Sequence, residues 1–475
     1  DLFNDRLKDV MERGKHSEYY NYFDIDWKHP APALKERLMV PVLGKELDAC
    51  IDDKEINISF SEQGFTVDYF ENKFPLSVTS WNKLLSFASS GIPEEIEQTL
   101  TAAASHAASG INYKEWNHYK LTCVSALNGN ASAAQSIKKI LSSVNRDPEK
   151  IKKILGSQCY ALTYWKHTER EINYRRFFTV NSLICLRMED KPVFNEYHQF
   201  IYSLYKDKLI HGLRIDHIDG LNDPSQYIKD LRNLFGDQCY IIAEKILEAR
   251  EDMPGSWPLE GTSGYEFLSY VSQLFTSRTG ARKLEEFYRN LIPEMPAYHK
   301  LVFDNKKLIL ENHMAGEWEN LARYFTELNL HHTHEPEKIK QALALVMLCM
   351  PVYRIYPDKL PLKGKSLSLI NETFRKAHAN GQQYAGELTY MHKLFTEQQT
   401  DDDMHGRIIK FLKRLMQFTG PLTAKGVEDT SFYVYNALIA HNEVGDSPSV
   451  PAISVEEFHN IMSARQQSNP LSLNA

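Results

Sequence analysis

The sequence predicts an α/β fold with parallel strands and large helical tracts, on three observations. Short, bounded apolar runs at Leu209–Ile215 and Tyr240–Ala243 flank an amphipathic stretch, Tyr227–Phe235, which reads as strand, helix, strand. Both runs deliver polar residues right at their ends, which points to a site at the carboxyl edge of a parallel sheet. The long tracts at about 90–160 and 278–415 place apolar residues at three- and four-residue spacing among charges, as helices do.

Composition bounds the rest. With 475 residues, 43% apolar and 25% charged, the chain can bury one large core or two ordinary ones, which excludes a disordered polypeptide. Its apolar residues form no run near the roughly 20 needed to cross a bilayer, so no membrane association is expected. No charged-then-apolar leader is read at the N-terminus. The 55 Lys+Arg stand against 62 Asp+Glu, a net charge of -7, and this argues against nucleic acid as a partner. Cys50, Cys123, Cys159, Cys185, Cys239 and Cys349 lie far apart with no CxxC pair, which suggests reduced thiols in the cytoplasm. The chain opens at Asp1 inside a helical pattern and closes at Ala475 without a helix stop, as an excerpt of a longer protein would.

Along the chain, the aromatic and acidic Tyr19–Trp27 and the Pro- and Gly-punctuated Met39–Gly44 read as irregular loop and short strand. Ala134–Val144 and Glu149–Leu155 are helical. Phe177–Leu186 fits strand or helix. His331, His332 and His334 crowd a polar connector, where solvated loop competes with a metal site and is preferred. Pro421–Asp446 is rich in Gly, Thr, aromatics and acids and reads as loop.

Five strings could carry chemistry. In Gly212–Gly220, strand alternation puts Arg214 and Asp216 on one face, with Leu213 and Ile215 turned to the packing side. The guanidinium keeps the carboxylate ionised, so Asp216 is a nucleophile or a salt-bridge anchor. One βα unit later, Tyr240–Ala243 delivers Glu244 and Lys245. Two carboxyls on neighbouring parallel strand ends suit glycoside chemistry, which needs one nucleophile and one proton donor, and an apolar setting would keep Glu244 protonated near neutral pH. Trp257–Tyr265 offers two rings on a Gly- and Pro-bearing loop. Lys425, Glu428, Asp429 and Phe432 combine acids, a cation and a ring, and Tyr174 and Arg176 share one face of a fifth string.

These strings, in this order, resemble the alpha-amylase superfamily, glycoside hydrolase family 13. The G-x-R-x-D string at Gly212–Asp216 is similar to its nucleophile segment, and Glu244 to its acid/base segment. YFDIDW at Tyr22–Trp27, INYRRFF at Ile172–Phe178, WPLEGTSGYEFL at Trp257–Leu268, AKGVEDTSFYVYN at Ala424–Asn436 and NEVGDSPS at Asn442–Ser449 narrow the resemblance to its trehalose-forming branch. The resemblance implies a partial (β/α)8 TIM barrel with large helical insertions, whose first strands and last segment lie outside the chain.

It divides the chain into a loop-rich segment at 1–90, a helical insertion at 91–160, central strands with the carboxylates at 161–278, a second helical insertion at 279–415, and a substrate-side loop and helix at 416–475. It further implies Asp216 as nucleophile and Glu244 as acid/base, with Arg214, His217, Lys245, Trp257, Tyr265, Lys425, Glu428, Asp429, Phe432, Tyr174 and Arg176 meeting substrate. A third carboxylate, of T-H-D type, would lie beyond Ala475, not at Asp429. The implied reaction turns the reducing-end α-1,4 link of a maltooligosaccharide into an α,α-1,1 link without cofactor or metal, in a pathway shared with a trehalose-releasing hydrolase. An amylase, a 4-α-glucanotransferase and an inactive glucan-binding fragment are the competing readings.

Overall fold

The computed structural model describes residues 2–88, 93–249, 251–398 and 401–472, so Asp1 and Ala475 lie outside the described residues. Two compact units, Asp1–Arg187 and Met188–Ala475, are each described by themselves.

In the first unit, β1 (Leu38–Leu43) pairs in parallel with a later strand, β5 (Tyr160–Tyr164). An antiparallel meander of β2 (Ile56–Ser61), β3 (Gly64–Tyr69) and β4 (Asn72–Pro75) precedes it. The meander's alternation of Ile56, Ile58 and Phe60 with polar residues is a strand signal that the sequence reading passed over. Four long helices follow a short one at Trp81–Leu85, namely Glu94–Ala107, Tyr113–Gly129, Ala131–Asn145 and Pro148–Leu155. The last two start where Asn130 and Asp147 side chains accept from the first free amides. The ambiguous Phe177–Leu186 stretch resolves as a hairpin, β6 (Arg176–Phe177) against β7 (Val180–Ile184).

In the second unit, β8 (Gly212–Ile215), β9 (Tyr240–Ala243) and β10 (Gly261–Thr262) form a parallel sheet in the order β10, β9, β8. Leu209 falls outside the strand and is exposed. The crossover helix Pro224–Phe235 begins with proline in its first turn, and the Asp223 carboxylate caps the Gln226 amide at 3.0 Å. Leu213 and Ile215 pack with buried Ile218, Ile228, Leu231, Ile241 and Ala243 between sheet and helix. Burial at that level contributes about 1.5–3 kcal/mol for each large side chain. Among the described residues the strands do not close into a barrel.

A second core joins the helices Tyr298–Asn312, Ala315–Glu327, Pro336–Cys349, Gly364–Asn380, Ala385–Thr396 and Asp402–Thr423. The loop expected at Pro421–Asp446 is instead largely helical to Val434. Asp402–Thr423 runs through Pro421 and continues as a π-helix, Ala424–Ser431. Proline has no amide to donate, so the ladder is interrupted there, and the wider turn beyond it is a form that recurs at functional sites. No helix among the described residues is long and apolar enough to cross a membrane.

Candidate active site

Asp216 follows the last residue of β8, and the Arg214 guanidinium, one pleat earlier on the same face, pairs with its carboxylate. Both side chains are exposed. The chain then turns at His217, whose φ of 48° is left-handed, a conformation that costs a non-glycine residue about 1 kcal/mol or more. The turn is kept by Gly220. A Cβ there would meet the His217 ring at 2.3 Å, so only glycine lets the ring lie where it does.

The turn aims an amide at the neighbouring strand. His217 N–H donates to Glu244 Oε2 at 2.7 Å, while Glu244 N–H extends the ladder to Ile215 O at 2.7 Å. Glu244 thus sits at the end of β9 beside Asp216. Burial pushes its carboxyl above the usual range, opposed by the His217 hydrogen bond and reinforced by the negative charge of Asp216.

Lys245 is buried, not open to solvent. Its Nζ lies 3.3 Å from Asp219 Oδ2, 3.1 Å from Glu251 Oε1 and 2.6 Å from the Ile246 carbonyl. Burial alone would lower its pKa; the two carboxylates overcome this and raise it. Trp257 is also buried, its Nε1 donating to Ser225 Oγ at 2.9 Å and its ring edge-on to Tyr356 at 4.7 Å. Tyr265 opens the helix Tyr265–Leu274, half-buried, where Gly445 must be glycine-sized because a Cβ would come within 2.9 Å of it.

The π-helix brings Lys425 to Asp429 at 2.5 Å and turns Glu428 inward to accept from the Tyr353 hydroxyl. Burial pushes Glu428 up to about 7. Phe432 and Glu428 line a cavity of about 1020 Å³ that neither Asp216 nor Glu244 lines. Tyr174 and Arg176 belong to the first unit, where the Tyr174 hydroxyl donates to Asn181 O at 2.7 Å and Arg176 is buried.

The sequence reading gave no role to the side chains that hold the turn after β8. Arg354 is almost fully buried and donates to the Asp219 and Leu221 carbonyls, each at 2.6 Å. Tyr356 donates to Asp219 Oδ1 at 2.5 Å. An arginine between tyrosines in the YRIYP string, inside a helical tract, is the signal that was available. His334 lies 3.3 Å from Glu387 and stacks on Tyr390 at 4.7 Å. Among the described residues no three His, Cys, Asp or Glu side chains converge as a metal site would require.

No protein-family model matches the chain. A Mycobacterium tuberculosis protein named provisionally as a maltooligosyl trehalose synthase is 30% identical over 321 residues, 66% of this chain and 39% of its own length. The solved maltooligosyltrehalose synthase of Arthrobacter ramosus is similar over 98% of this chain and 48% of its own, with 26% identity and a TM-score of 0.72. A structure described as DSM5389 glycosyltrehalose synthase gives 30% identity and a TM-score of 0.68 over 97% of this chain and 48% of its own. The chain therefore spans less than half the length of these relatives.

Proposed function

We propose, from the premise that this chain is a homologue of the maltooligosyl trehalose synthases, that it carries two catalytic carboxylates of a retaining intramolecular transglucosylase acting on maltooligosaccharides. The observation that carries the reading is Glu244 at the end of one parallel strand, held at 2.7 Å by the amide next to Asp216 at the end of its neighbour. Three adjacent parallel strands with a crossover helix are what part of a (β/α)8 barrel would contribute.

Asp216 attacks the anomeric carbon of the penultimate glucose as Glu244 protonates the departing oxygen, leaving a glycosyl ester on Asp216. The freed terminal glucose turns in place and presents its own anomeric hydroxyl. Glu244, now the base, takes that proton, and the new oxygen displaces Asp216, giving an α,α-1,1 link with net retention. Arg214 orients Asp216. His217, Tyr265, Lys425, Glu428, Asp429 and Phe432 are substrate contacts in this reading, while buried Lys245 and Trp257 stiffen the wall behind them. Excluding water from the freed glucose keeps hydrolysis from competing.

In this reading the chain divides into segments 1–90, 91–160, 161–278, 279–415 and 416–475. Six free cysteines support a reducing, cytoplasmic setting, and the trehalose-ended product calls for a hydrolase that releases trehalose.

The test is product analysis of the full-length protein with maltohexaose. Reducing ends should vanish without shortening of the oligosaccharide. Shortened products that keep reducing ends would mean an amylase or 4-α-glucanotransferase, and binding without turnover an inactive glucan-binding protein.

A further inference from the structure

Lys306 sits midway along the helix Tyr298–Asn312, 2% exposed, on the wall of the cavity of about 1020 Å³. Its Nζ reaches the Met350 carbonyl at 3.5 Å and makes no ion pair among the described residues. The position is tightly held from the other side. A Cβ on Gly426 would come within 2.8 Å of Lys306 Cα, so the π-helix backbone rests directly on this residue. Glu248 lines the same cavity, and among the described residues its carboxylate has no hydrogen bond of its own.

An amine that is buried without an ion pair, on a residue that lines a cavity, is costly as an ammonium ion. It is also placed to react.

We propose that Lys306 is a covalent binding site for aldehydes, with Glu248 as its proton donor. The neutral amine adds to the carbonyl carbon to give a carbinolamine. Glu248 protonates the hydroxyl, which leaves as water while the nitrogen lone pair closes the iminium, and the iminium N–H then returns its proton to Glu248; one amine and one aldehyde become one imine and one water. No oxidant or reductant is needed. Burial draws Lys306 down to about 8 and pushes Glu248 up to about 7, so that near neutral pH the amine is partly free and the carboxyl partly protonated. The cavity also carries the rings of Tyr298, Phe432 and Tyr435 beside Asp446, a lining that suits a polyhydroxylated aldehyde as well as a small one. The open-chain form of a reducing sugar is such an aldehyde.

The test incubates the full-length protein with glycolaldehyde in one arm and maltose in the other, each with sodium cyanoborohydride, and maps the reduced adducts by peptide mass. At pH 7.5 a lysine titrating near 8 has on the order of a hundred times the free amine of an ordinary one, which after its lower nucleophilicity should leave about tenfold more label on Lys306 than on a surface lysine. Label from both arms identifies a site that takes open-chain sugars, and label from glycolaldehyde alone one restricted to small aldehydes. Labelling should be greatest between about pH 7 and 8 and fall on either side, as Lys306 becomes protonated below that range and Glu248 loses its proton above it. Lys306→Arg should abolish it. Should that variant fail to fold, Glu248→Gln serves instead, slowing adduct formation at Lys306 while leaving surface lysines labelled at the same rate. Label spread evenly over exposed lysines, with Lys306 unmodified in both arms, would overturn the proposal.

Discussion

The amide of His217 and the carboxylate of Glu244 join the ends of two neighbouring strands through a 2.7 Å hydrogen bond. The amide belongs to the residue after Asp216, so the position of one carboxyl is fixed by the backbone that carries the other. The separation is therefore a property of β8 and β9, not of flexible side chains.

That linkage makes Gly220 critical. In Gly220→Ala the new Cβ meets the His217 ring at 2.3 Å and pushes the left-handed turn aside, moving the amide off Glu244. We expect kcat to fall by about tenfold or more, at one lost positioning contact, with KM little changed. Steady-state kinetics with maltohexaose measures both.

Glu244→Gln keeps the hydrogen bond acceptor and removes the proton. The reaction should slow by about 10²–10⁴-fold. Burial raises the Glu244 pKa, so the wild-type rate should decline with rising pH only above the ordinary carboxylate range, and this limb should be absent from the residual activity of the variant.

Lys245 is sealed between Asp219 and Glu251. Lys245→Met leaves both carboxylates buried without their cation, which should cost about 3–5 kcal/mol of stability in urea unfolding, far more than loss of an exposed lysine.

Glu428 should make stability depend on pH. Its folded pKa, raised by burial from 4.5 to about 7, exceeds the unfolded value, so its contribution is fully present below about pH 4.5 and is lost as pH rises through 7. That rise corresponds to at most about 3 kcal/mol. Glu428→Gln should flatten the stability profile between pH 5 and 8, read by thermal unfolding across that range.

Local chemistry made the centre of this site legible. The bounds of β9 coincide with the apolar run Tyr240–Ala243, because a strand packed against a crossover helix is apolar and short. β8 is shorter than its apolar run: the helix Lys191–Lys206 ends in a turn at Lys208, whose φ is positive, and leaves Leu209 in solvent. β10 is two residues, Gly261–Thr262, and carries no periodicity to read. Arg354 lies over 130 residues from the carbonyls it clamps, a contact made only by tertiary folding. Tyr353 and Glu428, 75 residues apart, likewise meet only through tertiary folding. The π-helix was hidden by the Gly and Pro residues that ordinarily mark loops.

The most direct test of the central claim is to trap the glycosyl-enzyme. The full-length protein would be incubated with a 5-fluoro glucosyl fluoride, which forms the covalent ester quickly and loses it slowly, and the labelled peptide identified by mass. The label should sit on Asp216 and be absent from Asp216→Asn. A label on another carboxylate, in protein that still removes the reducing end of maltohexaose, would contradict the assignment of Asp216 as nucleophile and with it the paired-strand site.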